Sequence, residues 1–307
     1  MIRKTSPYLD ALLERSEPLC KQFTPVEALE VLDGESRDPL GEERFEVISG
    51  LVHKYANRVL CILTTECAAY CQFCTRQRIV GSDTSNEADS ATIDAWVRYI
   101  SAHSGISEVI LSGGDPFVAS DEIFACALRS LADLPNITVL RIGTRAVVSD
   151  PEQISKCKLT VISEVDQPIY IGINFEHPDE ITPDAVTAVR ALRKTGAILY
   201  SQTVFLKGIN DDYAILRALF SRLIEVGVRP YYIYRCDPVP GSARFRADFR
   251  KERDIMTQLR RDLSGLACPT YVIDTPHGSG KIPVPLNFWD FDDSQYRDFA
   301  GEEHEPI

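Results

Sequence analysis

A regular alternation of apolar runs and helix-like segments, which begins near residue 58, constrains the fold of this 307-residue chain more than any other feature. Each apolar run suits one buried strand, and each following segment has apolar residues at helical spacing. The runs are RVLCILTT, SEVILSGG, TVLRIGTR, PIYIGINF, AILYSQTVFL and RPYYIYRC, and PTYVID closes the series. Strands that alternate with helices in this way form a parallel sheet. Six such units without a Rossmann glycine fingerprint predict an α/β fold, a partial (β/α)6 TIM-like barrel.

The barrel pattern divides the chain into three parts. Residues 1–50 read as short helices, because SPYLDALLERS has helical spacing and TPVEALEVL opens with a Thr N-cap and a Pro at the first helical position. We predict an N-terminal helical segment over 1–50, the barrel over 51–270, and a lysine-containing loop with a C-terminal tail over 271–307. In such a barrel the carboxyl ends of the strands carry the chemistry.

Three cysteines lie close together after the first predicted strand, in the stretch CAAYCQFC. Cys67, Cys71 and Cys74 have the spacing C-x3-C-x2-C, and three such thiolates can ligate a metal ion or a cluster. A structural zinc site needs a fourth ligand, for which His53 or a distant cysteine is available. Three unliganded thiols are a further alternative. The spacing favours a [4Fe–4S] cluster that leaves one iron open.

A second unusual stretch, DTPHGSGKIPVP, surrounds Lys281 with glycines after the last predicted strand. It does not match the phosphate-binding pattern G-x4-G-K-[ST]. A lone lysine is usually a solvated surface residue, but Gly278 and Gly280 allow the backbone to bend so that Lys281 points into a cavity. A lysine there forms an imine with pyridoxal phosphate when its pKa is low enough to supply the free amine.

Seven ordered blocks over roughly residues 50–287 resemble the lysine 2,3-aminomutases, a family of radical S-adenosylmethionine enzymes. The blocks are NRVLCILTTECAAYCQFCTRQR, LSGGDPF, RIGTRAVV, HPDEIT, LKGIND, YYIYRCD and DTPHGSGKIP. The resemblance implies three cofactors: a [4Fe–4S] cluster, S-adenosyl-L-methionine and pyridoxal 5′-phosphate. It also implies an isomerase that moves the α-amino group of a basic amino acid to the β-carbon through a 5′-deoxyadenosyl radical.

The same resemblance implies which residues bind the cofactors. The cluster cysteines would be Cys67, Cys71 and Cys74, and the catalytic lysine that carries pyridoxal phosphate would be Lys281. The phosphate group would be held by Arg58 and Arg145, with help from Lys54. The other implied cofactor-binding residues are Ser112, Gly113, Gly114, Asp115 and Gln202.

Three further residues point to a basic substrate. Arg76 matches the carboxylate-binding arginine of the family, and a guanidinium fork suits a carboxylate. Asp237 and Asp274 match the aspartates that receive the distal ammonium of lysine, although each also suits a turn cap. Two carboxylates that converge on one site favour a cation. Lysine is therefore the first expectation and arginine the second, while Arg78 is expected to form a structural ion pair.

Some features depart from the family pattern. Arg235 stands where a neutral residue is usual and, with Arg244, would shrink or recharge the distal pocket; His277 replaces a glycine. The chain ends soon after Lys281, as in the shorter enzymes that make (R)-β-lysine for modification of an elongation factor, which form a second alternative. Outside the aminomutases, a radical S-adenosylmethionine epimerase and a non-catalytic metal-binding module stay open.

Composition limits the partners. A net charge of −12 argues against a nucleic-acid-binding face, and no apolar run is long enough to predict a transmembrane helix. The acidic N-terminus does not resemble a signal peptide, so a cytoplasmic location is expected. Expected partners are an amino acid substrate and an electron donor such as a reductase, flavodoxin or ferredoxin, with a homodimer as one open assembly. Four isolated cysteines are expected to be small buried apolar residues: Cys61, Cys126, Cys157 and Cys268.

Overall fold

The computed structural model describes residues 4–25, 32–80, 86–288, 295–297 and 302–305. Ten strands in these ranges lie side by side in one open sheet, in chain order. They are β1 (Glu46–Ile48), β2 (Leu51–Tyr55), β3 (Arg58–Thr64), β4 (Glu108–Gly113), β5 (Val139–Thr144), β6 (Ile169–Asn174), β7 (Ile198–Val204), β8 (Arg229–Tyr234), β9 (Thr270–Asp274) and β10 (Lys281–Pro283). A separate pair follows, β11 (Tyr296–Arg297) and β12 (Glu303–His304).

Helices connect the central strands of this sheet. Two helices precede it, α1 (Pro7–Leu13) and α2 (Glu17–Phe23). The connecting helices are α3 (Ser90–Ala102), α4 (Asp121–Ala132), α5 (Ala146–Ser149), α6 (Lys156–Glu164), α7 (Pro183–Lys194), α8 (Tyr213–Val226) and α9 (Phe249–Asp262). Strands β3 to β9 are parallel, whereas β2 and β10 pair antiparallel with the outermost parallel strands. Six strand–helix units followed by a seventh parallel strand confirm the predicted partial barrel.

The helix boundaries follow from local sequence chemistry. The side chain of Thr182 caps α7 by accepting the N–H of Ala185 at 3.1 Å, and Pro183 is the first helical residue. Asp212 caps α8, which ends at Gly227 with a φ of 88° that glycine adopts at low cost. Both helices thus begin or end at residues whose local chemistry favours a helix boundary. The predicted TPVEALEVL helix lies largely outside the described residues.

The hydrophobic core lies between the sheet and the surrounding helices. Alternate residues along β3, β4 and β5 are buried, as expected for strands with one face against helices. Trp96 of α3 is fully buried and donates its indole N–H to the carbonyl of Ser49 at 2.8 Å. The other strand faces are less buried and carry polar groups, including an Arg141–Glu108 ion pair at 3.0 Å. The inside of the barrel is therefore suited to charged ligands.

The N-terminal segment packs against the carboxyl ends of the strands. The hydroxyls of Tyr8 and Thr182 lie 2.6 Å apart, which ties α1 to the start of α7. Further along, the N–H of Ser36 donates to the carbonyl of Pro238, just beyond β8, at 2.8 Å. Residues that precede the barrel thus cover part of its C-terminal mouth. The domain boundaries at residues 50 and 270 stay predictions.

The isolated cysteines differ in exposure. Cys61 and Cys268 are buried as expected, and Cys126 is partly buried. Cys157 is exposed on α6, so its interpretation as a buried residue is wrong; it lies on the solvent face of an amphipathic helix. Within the described ranges, every helix is too short or too polar to span a lipid bilayer.

Candidate active site

The cysteine loop lies at the C-terminal mouth of the barrel, directly after β3. Cys67, Cys71 and Cys74 are partly buried and close enough to influence one another's ionisation. Burial raises the pKa of all three thiols, to about 11 for Cys71. A thiol in this environment becomes a thiolate when a metal centre or a cation stabilises it.

Two N–H groups already point at these sulfurs. Arg145 Nη1 lies 2.8 Å from Cys71 Sγ, and the backbone nitrogen of Arg76 lies 3.4 Å from Cys74 Sγ. Hydrogen bonds to the ligand sulfurs are one of the factors that set the reduction potential of an iron–sulfur cluster. Three thiols with such donors fit a [4Fe–4S] cluster held by three protein ligands.

The zinc alternative gains no fourth ligand from His53. Its Nδ1 lies 2.9 Å from the hydroxyl of Tyr99, and its ring packs edge-on against Tyr99 and His103 of the segment around α3. In the part of the chain that the structure describes, no three His, Cys, Asp or Glu side chains converge on a single ion position. The side chain of His53 is thus engaged by Tyr99 rather than directed at the cysteine loop.

The paired glycines after β4 allow two backbones to pack closely. A Cβ on Gly113 would lie 2.1 Å from the carbonyl oxygen of Thr64, and one on Gly114 would lie 2.1 Å from that of Glu66. The N–H of Gly114 donates to Thr64 at 2.6 Å, and that of Asp115 donates to Glu66 at 2.7 Å. The glycines thus anchor the chain that leads into the cysteine loop. Their predicted contact with S-adenosylmethionine stays a prediction.

Asp115 has a structural role that its sequence motif does not reveal. Its buried carboxylate accepts hydrogen bonds from Thr144 Oγ1 at 2.8 Å, from the N–H of Arg145 at 2.7 Å and from the N–H of Phe117 at 3.0 Å. These bonds occupy both carboxylate oxygens inside the protein. Asp115 therefore joins the loops after β4 and β5, and its predicted role in cofactor binding stays a prediction.

Arg145 also has partners that its sequence motif does not reveal. Its Nη2 pairs with Glu180 at 2.9 Å and also donates to Gln22, while Nη1 faces Cys71. Both guanidinium ends are thus engaged beneath the cysteine loop. The predicted contact of Arg145 with the phosphate of pyridoxal phosphate stays a prediction, and in the structure both Nη groups of its guanidinium already have partners.

Arg76 lies between the cysteine loop and the barrel. Its Nε and Nη2 form a fork with the carboxylate of Glu42 at 2.9 and 2.7 Å, and its Nη1 donates to Ser112 Oγ at 2.8 Å. Burial alone would raise the pKa of Glu42, but the charges of Arg76 and Arg78 lower it to about 2. A guanidinium has five N–H donors, and Nη1 also donates to the carbonyl of Gly113 at 3.4 Å, so one N–H of Arg76 Nη2 is left for a second carboxylate.

Arg78 forms the structural ion pairs that the sequence predicts. It pairs with Asp38 at 3.5 Å, Glu42 at 3.4 Å and Glu43 at 3.0 Å. Sequence reasoning missed Glu42 itself, which is 5% exposed and joins both arginines of the cysteine loop. It lies 34 residues before Arg76 in an ordinary acidic run, so only the structure reveals it.

Lys281 lies at the same mouth of the barrel, opposite Asp274 in the antiparallel pair of β9 and β10. Its Nζ lies 2.6 and 2.8 Å from the carboxylate oxygens of Asp274 and 5.4 Å from the ring centre of Tyr234. Burial lowers the pKa of Lys281, but Asp274 raises it by more, so the net shift is upward. Asp274 thus favours the ammonium form of Lys281, whereas the sequence argument required a lowered pKa. Gln202 donates to the Tyr234 hydroxyl at 2.9 Å and belongs to the same region.

Asp237 bounds a cavity of about 220 Å³ together with Asp274 and the segment around Ser36. Burial raises the pKa of Asp237 well above its usual value, and the nearby charge of Asp274 raises it further. Arg235 also lines the cavity, but its Nη1 pairs with buried Glu252 at 2.6 Å. Arg235, which departs from the family pattern, is therefore paired with Glu252, and the cavity keeps its acidic character.

Two cations lie on β2 and β3, and one of them, Lys54, is close enough to Lys281 for their charges to interact. Lys54 Nζ is 3.4 Å from the carbonyl of Leu40, and its pKa is lowered by burial and also by the charge of Lys281. The guanidinium of Arg58 stacks over the ring of Tyr55 at 3.9 Å. Within the described residues no acidic partner is recorded for Arg58. Lys54 and Arg58 are therefore suited to an anionic group, as the phosphate prediction requires.

Comparison with known proteins covers most of the chain. The sequence profile of the Radical SAM superfamily matches residues 61–219. The L-lysine 2,3-aminomutase of Acetoanaerobium sticklandii is 36% identical over 287 residues, which cover 92% of this chain and 69% of the relative. That of Clostridium subterminale is 36% identical over 289 residues, with 92% and 68% covered. The glutamate 2,3-aminomutase of Clostridioides difficile is 32% identical over 286 residues, with 91% and 66% covered. The chain spans about two thirds of the length of these relatives.

Solved structures support the fold alone. Native anSMEcpe with bound AdoMet superposes with a TM-score of 0.52 at 12% identity, over 66% of this chain and 58% of that one. A radical SAM methyltransferase from Sphaerobacter thermophilus gives a TM-score of 0.51 at 16% identity, over 74% and 69%. Both agree with the partial barrel.

Proposed function

The chain belongs to the lysine 2,3-aminomutase family of the radical SAM superfamily, and from this premise we propose that it moves the α-amino group of L-lysine to the β-carbon. It is an isomerase that uses a [4Fe–4S] cluster, S-adenosylmethionine and pyridoxal phosphate. When bound, these groups supply an organic radical and a carbonyl that holds the migrating nitrogen.

The cysteine loop would hold the cluster through Cys67, Cys71 and Cys74. The Gly113–Gly114 pair fixes the chain just before Cys67 and so sets where the sulfurs point. Reduction of the cluster needs an outside electron donor, for which flavodoxin, ferredoxin or a dedicated reductase is suitable. The expected cytoplasmic location would keep such donors and the thiols reduced.

Lys281 would carry pyridoxal phosphate, with Arg58 and Lys54 holding the phosphate. Because Asp274 keeps Lys281 protonated, the lysine must lose a proton before its nitrogen becomes nucleophilic. Once the Lys281 nitrogen is no longer an ammonium ion, Asp274 loses its partner. It is then available, with Asp237, to accept the distal ammonium of a substrate.

The choice of lysine rests on one observation: Asp237 lines the same cavity as Asp274, the carboxylate that contacts Lys281. Like charges this close favour a cation between them. Arg76 would bind the other end of the substrate, the α-carboxylate, with the one N–H of Nη2 that its protein partners leave unused. A glutamate side chain would place a third negative charge in this cavity and is therefore disfavoured, and arginine is the second candidate.

The proposal is tested by anaerobic assay of the reconstituted enzyme with lysine, arginine and glutamate in parallel. We expect β-lysine as the main product, and we expect Lys281→Ala to abolish both this product and the absorption band of protein-bound pyridoxal phosphate. Arg129→Gln is a control at an exposed ion pair outside the barrel mouth. Inversion at the α-carbon would instead indicate an epimerase, and β-glutamate as the main product would refute the reading of the acidic cavity.

A further inference from the structure

Arg145 occupies a site assembled from four separate parts of the chain. Its guanidinium contacts Cys71 in the cysteine loop, and its backbone lies at the start of α5. Helix α2 contributes Gln22, and the loop after β6 contributes Glu180. Arg145 is 9% exposed and Glu180 is fully buried. A buried arginine with a thiol, a carboxylate and an amide as partners is a built cationic site.

Aromatic rings enclose the same guanidinium. The ring centre of Phe23 lies 4.7 Å from Arg145 Cζ, and that of Phe73, within the cysteine loop, lies 5.5 Å away. Both contacts are within the range of cation–π interactions, and Cys71 packs against the apolar clusters that contain Phe23 and Phe73. In such a low-dielectric place, the charge on Arg145 acts strongly on neighbouring groups.

We propose that Arg145 is a positioning residue for the iron–sulfur cluster. Arg145 donates a charged hydrogen bond to the Cys71 ligand and thereby raises the reduction potential of the cluster. Adding an electron makes the cluster more negative, so a fixed positive donor at a ligand sulfur stabilises the reduced form. This inference rests on the proposed function only in requiring that the three cysteines bind a cluster.

The carboxylate of Glu180 predicts a second effect of opposite sign. Glu180 pairs with Arg145 at 2.9 Å, and Glu176 is buried beside them, with its Oε2 accepting the N–H of Val204 at 2.6 Å. Replacing both glutamates by glutamine keeps hydrogen-bonding groups of similar shape but leaves Arg145 uncompensated. The reduction potential should then rise, whereas loss of Arg145 should lower it.

The test is a redox titration of the reconstituted full chain, followed by electron paramagnetic resonance, without S-adenosylmethionine, pyridoxal phosphate or substrate. Iron and sulfide are measured for every variant. We expect Arg145→Gln to shift the midpoint potential to more negative values, Arg145→Lys to stay near the wild-type value, and the Glu176→Gln/Glu180→Gln pair to shift it to less negative values. Arg141→Gln removes an ion-paired arginine of β5 that lies away from the cysteine loop. This variant should leave the midpoint potential unchanged.

A merely structural role would loosen the loop in both kinds of variant and would not move the potential in opposite directions. A cluster-loaded Arg145→Gln protein with the wild-type potential overturns the inference. If that variant does not retain a cluster, the paired glutamine variant decides, because an unchanged or more negative potential there overturns it equally. A wild-type protein that binds no cluster would instead refute the proposed function.

Discussion

Replacing Glu42 by glutamine tests how Arg76, the proposed substrate-binding arginine, is held. Glu42 is buried, and its pKa falls from 4.5 to about 2 because the charges of Arg76 and Arg78 outweigh the cost of burial. One pKa unit corresponds to about 1.4 kcal/mol, so the ionised carboxylate contributes about 3 kcal/mol to folding at neutral pH. Glutamine resembles the protonated carboxyl in shape, and Glu42→Gln should therefore lower the free energy of unfolding by about that amount.

The pH dependence follows from the sign of this shift. Because the folded-state pKa is lowered, the stabilisation is fully present above the unfolded-state value near 4.5 and is lost as the pH falls through about 2. The difference between wild type and variant should shrink to roughly half by pH ~3. Urea unfolding of the apoprotein, followed by circular dichroism at several pH values, measures this difference.

Glu43→Gln is the matched control for this measurement. Glu43 is the adjacent residue and pairs with the same Arg78, but its side chain is 68% exposed. Its replacement should change the free energy of unfolding by no more than about 0.5 kcal/mol. The reasoning is refuted if Glu42→Gln costs less than about 1 kcal/mol at neutral pH, or if its cost does not change with pH.

Three other predictions follow from the site. Asp237→Asn should stabilise the ligand-free protein, because it removes a carboxyl group whose pKa is raised by burial and by Asp274. The same variant should raise the KM for lysine by about 10–100-fold. Thermal unfolding and steady-state kinetics measure the two effects, and a loss of stability contradicts the charge argument. Arg76→Lys loses the fork to Glu42 and should lower kcat/KM by at least about tenfold with unchanged iron content; full activity would exclude Arg76 from substrate binding. Gly114→Ala places a Cβ 2.1 Å from the Glu66 carbonyl oxygen and should cost about 1–3 kcal/mol or more and reduce cluster loading; Gly265→Ala, where nothing lies within 4 Å, is its control, and equal behaviour of the two would disprove the packing role.

Local sequence signals were enough to place the barrel and the two cofactor loops. Strand-forming runs depend on neighbours within a few residues, so the order of the strands could be predicted. The ion pairs of Arg78 could also be anticipated, because a charge that the substrate does not need is usually neutralised nearby. These features explain why the fold and the position of Lys281 could be predicted from the sequence.

Long-range partners were beyond the reach of the sequence. Arg145 lies at the end of a strand where a cofactor phosphate is plausible, but its actual partners are Gln22, Cys71 and Glu180, which are far apart in the chain. Likewise, Arg235 looked like a change of pocket charge until Glu252 was seen to neutralise it. A residue's chemistry can be read from sequence, whereas the choice among competing partners is made by packing.

The central claim is most directly tested by following the nitrogen of lysine. The reconstituted enzyme is reduced anaerobically with S-adenosylmethionine and pyridoxal phosphate, and it is given lysine with a heavy isotope at the α-nitrogen. The account predicts β-lysine with the isotope on the β-carbon, and no such product from Lys281→Ala. Recovery of lysine with all of the isotope still on the α-carbon, from protein with full cluster and bound pyridoxal phosphate, would contradict it.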